Sequence, residues 1–285
     1  MGKSSPIVSV IVPVYNEERY IRRFLTSVVN QSFSKGKMEI FIIDGSSTDN
    51  TLNIAREFDQ QYPNLFTCMK NKDHTVPFAL NMGISRAKGE YIIRLDAHAE
   101  FPPDYIQRCV YYLSTNQYDN VGGYLISVGD GFVGETIALL FSSKFGAGPS
   151  QFRTGNQGGI VDTVPYGAFR RDLFLRIGGF NTQLTRTQDL EMNVRIRKNG
   201  GKIFLAKDIY SKYYCRTSIK KMIKYAFING YWSIKKIHFC AGLITIRHLA
   251  PLLFLVSLIV LSILFPIHRF FQYMLILELS SYLLL

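Results

Sequence analysis

Cysteine, tryptophan and acidic side chains are scarce in this sequence, and several familiar sequence signatures are missing. The four cysteines, Cys68, Cys109, Cys215 and Cys240, show no C-x-x-C spacing. That excludes a disulfide scaffold or a zinc ribbon and reads as reduced thiols in a cytosolic setting. No period of about 20 to 50 residues recurs, so a solenoid is excluded. A G-x-S-x-G elbow, a Walker loop and a G-x-G-x-x-G fingerprint are all lacking, which leaves serine hydrolases, P-loop ATPases and dinucleotide dehydrogenases without their central parts. The opening MGKSSPIVSV lacks the pattern of a signal peptide, and Pro6 stands where a myristoylation motif needs Ser or Thr.

What is present is apolar and basic. Apolar residues make up 47% of the 285 positions, enough to bury a large core, and the net charge is +12. Much of that charge sits late: from residue 209 onward nine basic side chains face the single acid Glu278. Lys212, Arg216, Lys220, Lys221, Lys224, Lys235, Lys236 and Arg247 all precede a long apolar run, so anionic membrane lipid, not nucleic acid, is the expected partner. The run from Leu249 to Ile267 has 19 residues without a charge. At about 1.5 Å per residue it covers roughly 28 Å, enough for a bilayer core of about 30 Å. Phe270 to Leu285 follows, with Glu278 in its middle, and reads as a return span, an interfacial helix or the start of a further region. Basic residues ahead of the first span place the preceding domain on the cytoplasmic side.

Along the first half, short β-branched runs alternate with helical patterns. Ile7–Val14, Met38–Ile43, Leu65–Lys70 and Tyr91–Leu95 read as strands; 19–30, 50–61, 77–87 and 102–116 read as helices. Such alternation implies a mainly parallel α/β sheet whose ligands sit beyond the carboxyl ends of the strands. Three polar clusters fall there: Pro13-Val14-Tyr15-Asn16-Glu17, Asp44-Gly45-Ser46 and Asp96-Ala97-His98. Further on, Gly146–Gly159 reads as a mobile loop, a helix is expected near Gln188–Asn199, and a basic amphipathic helix near Ile219–Ile237 is expected to lie at the membrane interface.

Asp96 and His98, two apart at a strand end, point to one side of an extended segment and suit a shared divalent cation, or Asp96 reads as a cap for the helical pattern that follows at 102–116. Asp44 reads either as a carboxylate for a nucleobase or ribose or as a turn residue bonding local amides. Tyr15 offers an aromatic face. Asp189 heads a helix, where the dipole alone would favour a carboxylate, and it also suits a general base for an acceptor hydroxyl.

VSVIVPVYNEE, DGSSTDNT, RLDAHAEF, GAFRR, GGF and QDLE, in this order, resemble the family 2 glycosyltransferases over about residues 7–216. DAH, PPDY and VDTVPYGAFRR look most like the succinoglycan-type bacterial exopolysaccharide glucosyltransferases. The resemblance implies a GT-A fold, a Rossmann-like mixed sheet, with residues 1–120 as the nucleotide-sugar half and 121–216 as the acceptor half. Residues 217–247 then form the interfacial region and 248–285 an anchor of one or two spans. It implies that Pro13, Tyr15, Glu17, Asp44 and Asp96 hold the donor nucleotide, Asp96 and His98 a metal, and that Asp189 is the base. Arg170, Arg171 and Gln188 are expected to approach acceptor or phosphate. His98 replaces the usual second aspartate of the metal motif, which implies Mn²⁺ over Mg²⁺. The Q-x-x-R-W signature of processive synthases is missing, so transfer of a single hexose is expected. The acceptor implied is a polyprenyl-diphosphate-linked glycan at a bacterial inner membrane. Two alternatives stand beside this: a nucleotidyltransferase of similar fold, and an inactive membrane-tethered sugar-nucleotide binding protein.

Overall fold

The computed structural model describes residues 5–148, 150–155, 157–235 and 246–284. In chain order the elements are β1 (Val8–Val14), α1 (Ile21–Val29), β2 (Met38–Asp44), α2 (Thr51–Gln61), β3 (Phe66–Lys70), α3 (Val76–Arg86), β4 (Tyr91–Arg94), β5 (Ala99–Glu100) and α4 (Tyr105–Thr115). There follow β6 (Asn120–Val128), α5 (Gly131–Ser142), α6 (Lys144–Ala147), α7 (Gln151–Thr154), β7 (Gly159–Ile160), β8 (Ala168–Arg170) and α8 (Arg171–Ile177). The last are α9 (Gln188–Lys198), β9 (Ile203–Tyr214), α10 (Ile219–Lys235), α11 (Ile246–Leu264) and α12 (Arg269–Leu284).

The nine-stranded sheet runs β3-β2-β1-β4-β8-β6-β9-β5, with β7 also paired to β9. β1 lies at the centre of its parallel half, between β2 and β4. Both of its faces are covered, which explains why VSVIVPV is almost continuously apolar rather than alternating. The period of two then sorts its side chains: Val8, Val10 and Val12 join one core with Phe24 and Leu25 of α1, whereas Ile11 joins another with Leu80 of α3. β2 divides the same way, Ile40 and Ile42 on one face, Phe41 and Ile43 on the other. The second half is mixed: β8 runs antiparallel to β4 and β6, while β6 and β9 are parallel with a bulge between Gly122 and Tyr124. At that bulge a Cβ on Gly123 would fall 2.2 Å from the Ile209 carbonyl oxygen, so only glycine lets the two strands approach.

Two expectations change. Asp96 to His98 is not extended strand: β4 ends at Arg94, and the Ala99 amide bonds the Asp96 carbonyl at 3.2 Å, closing a turn around the buried Ala97. The stretch 146–159 is not simply loop, because it carries part of α6, all of α7 and the first residue of β7, Gly159, which pairs with Leu205 of β9. Pro149 and Asn156 within it lie outside the described residues, as do Cys240 and the end of the expected interfacial helix.

The chain divides into two compact units, Met1–Asn229 and Gly230–Leu285, with the division inside α10. In the second unit α11 packs on α12, with the Ser257 hydroxyl donating to the Glu278 carboxylate. Among the described residues no helix is long and apolar enough to cross a membrane. The described side chains of α11, Leu252 to Leu264, are apolar except for Ser257 and Ser262.

Candidate functional site

The loops that leave β1, β2 and β3 are bonded to one another. Asn16 takes a left-handed conformation (φ 53°), which Asn tolerates better than most residues. Its carboxamide oxygen accepts from the Thr48 amide at 2.8 Å, and its own amide donates to the Ser47 hydroxyl at 2.9 Å. The Glu17 amide donates to Thr51 Oγ1 at 2.7 Å. Beneath them Asp44 is buried, and both carboxylate oxygens accept from the Ser47 amide at 3.1 and 3.2 Å. The His74 Nδ1 donates to the Gly45 carbonyl at 2.9 Å, and the Asn71 amide donates to the Asp44 carbonyl at 2.8 Å.

These loops and the turn after β4 line one cavity, which brings together Pro13, Tyr15, Glu17, Asp96 and His98 as the sequence led one to expect. Tyr15 presents an exposed ring. The Asp44 carboxylate does not line the cavity; it stiffens the wall from behind. Arg170 and Arg171 are not brought here: Arg170 pairs with Tyr91 at the opposite end of β4, and both line a separate hollow with Lys88.

Two charged groups organise the chemistry. His98 Nδ1 lies 3.1 Å from Glu17 Oε1. Burial works against a charged imidazole, but the hydrogen bond and charge of Glu17, with Asp96 adding, hold the His98 pKa above its ordinary value. Arg94 grips Asp96 through Nε and Nη2 at 3.2 to 3.3 Å and reaches Asp189 Oδ2 with Nη1 at 3.6 Å. Burial opposes its charge too, and the two carboxylates more than offset this. One guanidinium therefore ties the turn after β4 to the first turn of α9.

Asp189 keeps a side chain 43% exposed, open to a reactant, while Glu191 is turned away into a pair with Arg195. Thr187, just before α9, is held at φ 62°, an outlier for a β-branched residue. Gln188 is buried, and its Oε1 has no hydrogen-bond partner among the described residues.

Arg94 was missed in the sequence, although an arginine inside the strand YIIRLD is a signal, because an arginine that deep is almost always paired. Asn71, His74 and Thr75 were missed as well; NKDHT between β3 and α3 is a fourth polar cluster at the same sheet edge. Among the described residues no three His, Cys, Asp or Glu side chains form a metal cage. Asp96 and His98 in one cavity fit instead an ion held largely by ligand oxygens and water.

The comparisons with known proteins bear on the fold and the family. A solved mannosyltransferase from Pyrobaculum calidifontis, in complex with GDP-Man and Mn²⁺, superposes with a TM-score of 0.63 at 23% identity, over 82% of this chain and 65% of that one, which supports the GT-A-like mixed sheet. The dolichyl N-acetyl-alpha-D-glucosaminyl phosphate 3-beta-D-2,3-diacetamido-2,3-dideoxy-beta-D-glucuronosyltransferase of Methanococcus voltae is 30% identical over 262 residues, 88% of this chain and 80% of that protein. Succinoglycan biosynthesis protein ExoA of Rhizobium meliloti is 27% identical over 212 residues, 74% of this chain and 64% of that protein. The chain thus spans just under two thirds of the length of ExoA and of the solved mannosyltransferase. The profile described as Glycosyl transferase family 2 matches residues 9–178, more than half of the chain, and the chain belongs to that family of glycosyltransferases.

Proposed function

We propose that this glycosyltransferase moves a single hexose, glucose or a near relative, from a nucleotide-diphosphate sugar to a lipid-linked glycan, with inversion at the anomeric carbon. The observation that carries the proposal is Arg94, which joins Asp96 at the donor cavity to the exposed Asp189. Tyr15, Asn71 and His74 line the nucleotide side, with Asp44 fixing the loop behind them. Asp189 accepts the proton of an acceptor hydroxyl as that oxygen bonds to the anomeric carbon. The bond from that carbon to the diphosphate oxygen breaks on the opposite face, so the linkage inverts and a nucleoside diphosphate leaves.

Asp96 and His98 would hold a divalent ion, Mn²⁺ in preference to Mg²⁺ because one donor is a nitrogen. When bound, such an ion neutralises charge on the leaving diphosphate, an effect worth several kcal/mol. The mannosyltransferase solved in complex with GDP-Man and Mn²⁺ supports this reading, and the name of the M. voltae relative supports a lipid phosphate in the acceptor. Ile219, Ile223 and Phe227, spaced four apart on α10 and all exposed beside Lys220 and Lys224, support a helix lying at a lipid surface. With the apolar α11, they support attachment at a membrane surface, in this reading that of a bacterial inner membrane with the catalytic unit on its cytoplasmic side.

The test is to incubate the full chain with a panel of nucleotide-diphosphate sugars and Mn²⁺ and to follow nucleoside diphosphate release and the anomeric configuration of the product. Asp189→Asn should lower turnover at least about 10²-fold while donor binding persists. Near-normal turnover would reject Asp189 as the base, and release of pyrophosphate would indicate nucleotidyl transfer. Mn²⁺ affinity should fall as pH drops through the raised His98 pKa; equal affinity at about pH 5.5 and 7.5 would reject His98 as a ligand.

A further inference from the structure

Three arginines outside the donor cavity share two tyrosine rings. Arg153 of α7 lies over the Tyr213 ring at 5.3 Å and donates to Ser127 Oγ at 3.1 Å. Arg216 donates to the Tyr213 hydroxyl at 3.2 Å and lies over the Tyr225 ring at 3.7 Å. Arg186, three residues ahead of Asp189, sits 5.7 Å from the centre of that same ring and donates to Asn229 Oδ1 at 3.1 Å. Tyr213 in turn packs edge-on against His98, with ring centres 5.3 Å apart. A continuous wall thus runs from His98 through two tyrosines and three guanidiniums.

The charge on this wall is not balanced. Among the described residues no carboxylate lies within 4.0 Å of Arg153, Arg186 or Arg216, as is also true of Arg23, Arg56, Arg86, Arg170 and Arg171, but only these three are gathered on shared tyrosine rings beside the site. All three are partly shielded from water, and their protein partners are neutral: aromatic faces, a hydroxyl, a phenol and an amide. Like charges gathered without counter-charge repel one another, and planar guanidiniums held on aromatic faces are pre-arranged to fork onto phosphate oxygens. None of the three lines the donor cavity, and Arg186 stands three residues ahead of Asp189.

We propose that Arg153, Arg186 and Arg216 bind a phosphate or diphosphate ester carried by the acceptor, which seats the acceptor hydroxyl next to Asp189. This rests on the transferase reading for the identity of the ligand, not for the existence of the anion site. Arg186 anchors the end nearest the base, and Arg153 comes from the segment between α6 and β7.

The experiment uses the full chain, metal-free and saturated with a nucleoside diphosphate so that the donor cavity is filled. Binding of inorganic pyrophosphate is measured by calorimetry, and binding to phosphatidylcholine vesicles with and without a polyprenyl diphosphate by co-sedimentation. Arg153→Gln, Arg186→Gln and Arg216→Gln should each weaken pyrophosphate binding about tenfold or more and abolish the extra binding to diphosphate-bearing vesicles. Nucleoside diphosphate affinity should stay within about twofold of wild type. Should a glutamine variant fail to fold, the matching lysine variant keeps the charge but not the fork, and a loss of several-fold is expected. Unchanged pyrophosphate binding in all three variants overturns the proposal, and so does an equal loss of nucleoside diphosphate affinity, which would assign the wall to the donor. Arginine-dependent pyrophosphate binding in a protein that no nucleotide sugar stabilises would leave the wall standing and sink the transferase details instead.

Discussion

Replacing Arg94 by methionine keeps an apolar stem of similar length in the strand and removes only the guanidinium. In the native protein that group has a side chain 11% exposed, contacts Asp96 (21% exposed) at 3.2 Å and lies 3.6 Å from Asp189 (43% exposed). A unit charge pair at 3.6 Å is worth about 4 to 5 kcal/mol at an effective dielectric of about 20 and about 1 kcal/mol in water. Asp189 is open enough that the lower figure governs it. Asp96 is the more buried partner, and stranding a buried carboxylate costs up to about 3 to 5 kcal/mol, less what partial rehydration recovers. The net expectation for Arg94→Met is a loss of about 2 to 4 kcal/mol, or a fall of about 1 M in the urea midpoint at neutral pH. Arg94→Lys should recover less than half of it, because an ammonium is a point charge and cannot fork onto Asp96 while reaching Asp189. Turnover should fall about 10²-fold in both variants, since the base is no longer fixed relative to the donor cavity. A methionine variant within about 0.5 kcal/mol of wild type, or one with normal turnover, would refute the role given to this arginine.

Other expectations follow from single features. Thr187→Asn should raise the unfolding free energy by about 1 kcal/mol, because Asn tolerates the left-handed conformation that strains threonine; lower turnover in the same variant would mark the strain as functional. Glu17→Gln should lower the His98 pKa, read from imidazole resonances in metal-free protein. Because the folded pKa is raised, its contribution of about 1 to 2 kcal/mol is complete at about pH 5.5 and lost as pH rises through the folded value. Wild type and variant should therefore differ most in urea stability below about pH 6.5 and converge as pH rises through the folded His98 value; a difference that grows with pH would contradict the pairing. Gly123→Ala should destabilise by about 1 to 3 kcal/mol in thermal unfolding, since the new methyl meets the Ile209 carbonyl and not open space.

The alternating β-branched runs, the polar clusters after β1, β2 and β4, and the helix headed by Asp189 were legible in the residues alone. Local patterning determines them: buried parallel strands must be apolar throughout, and chemistry on such a sheet collects where the strands end. The sequence also carried the family, because its motifs recur in order. What it could not carry were relations between residues far apart in the chain. Asp44 reads the same on paper whether its carboxylate faces a ligand or a backbone amide, and only the fold shows that the returning loop brings the Ser47 amide to it. Arg170 and Arg171 resembled phosphate ligands until antiparallel pairing of β8 with β4 carried them to the far end of the sheet. Arg94 drew no reading of its own within its strand, and the grouping of Arg153, Arg186 and Arg216 on two tyrosines could not be inferred from spacing at all. A one-dimensional pattern records which groups are costly to bury. Which partner balances each of them, or whether a charge is left for a ligand to balance, was decided only when the chain folded back on itself.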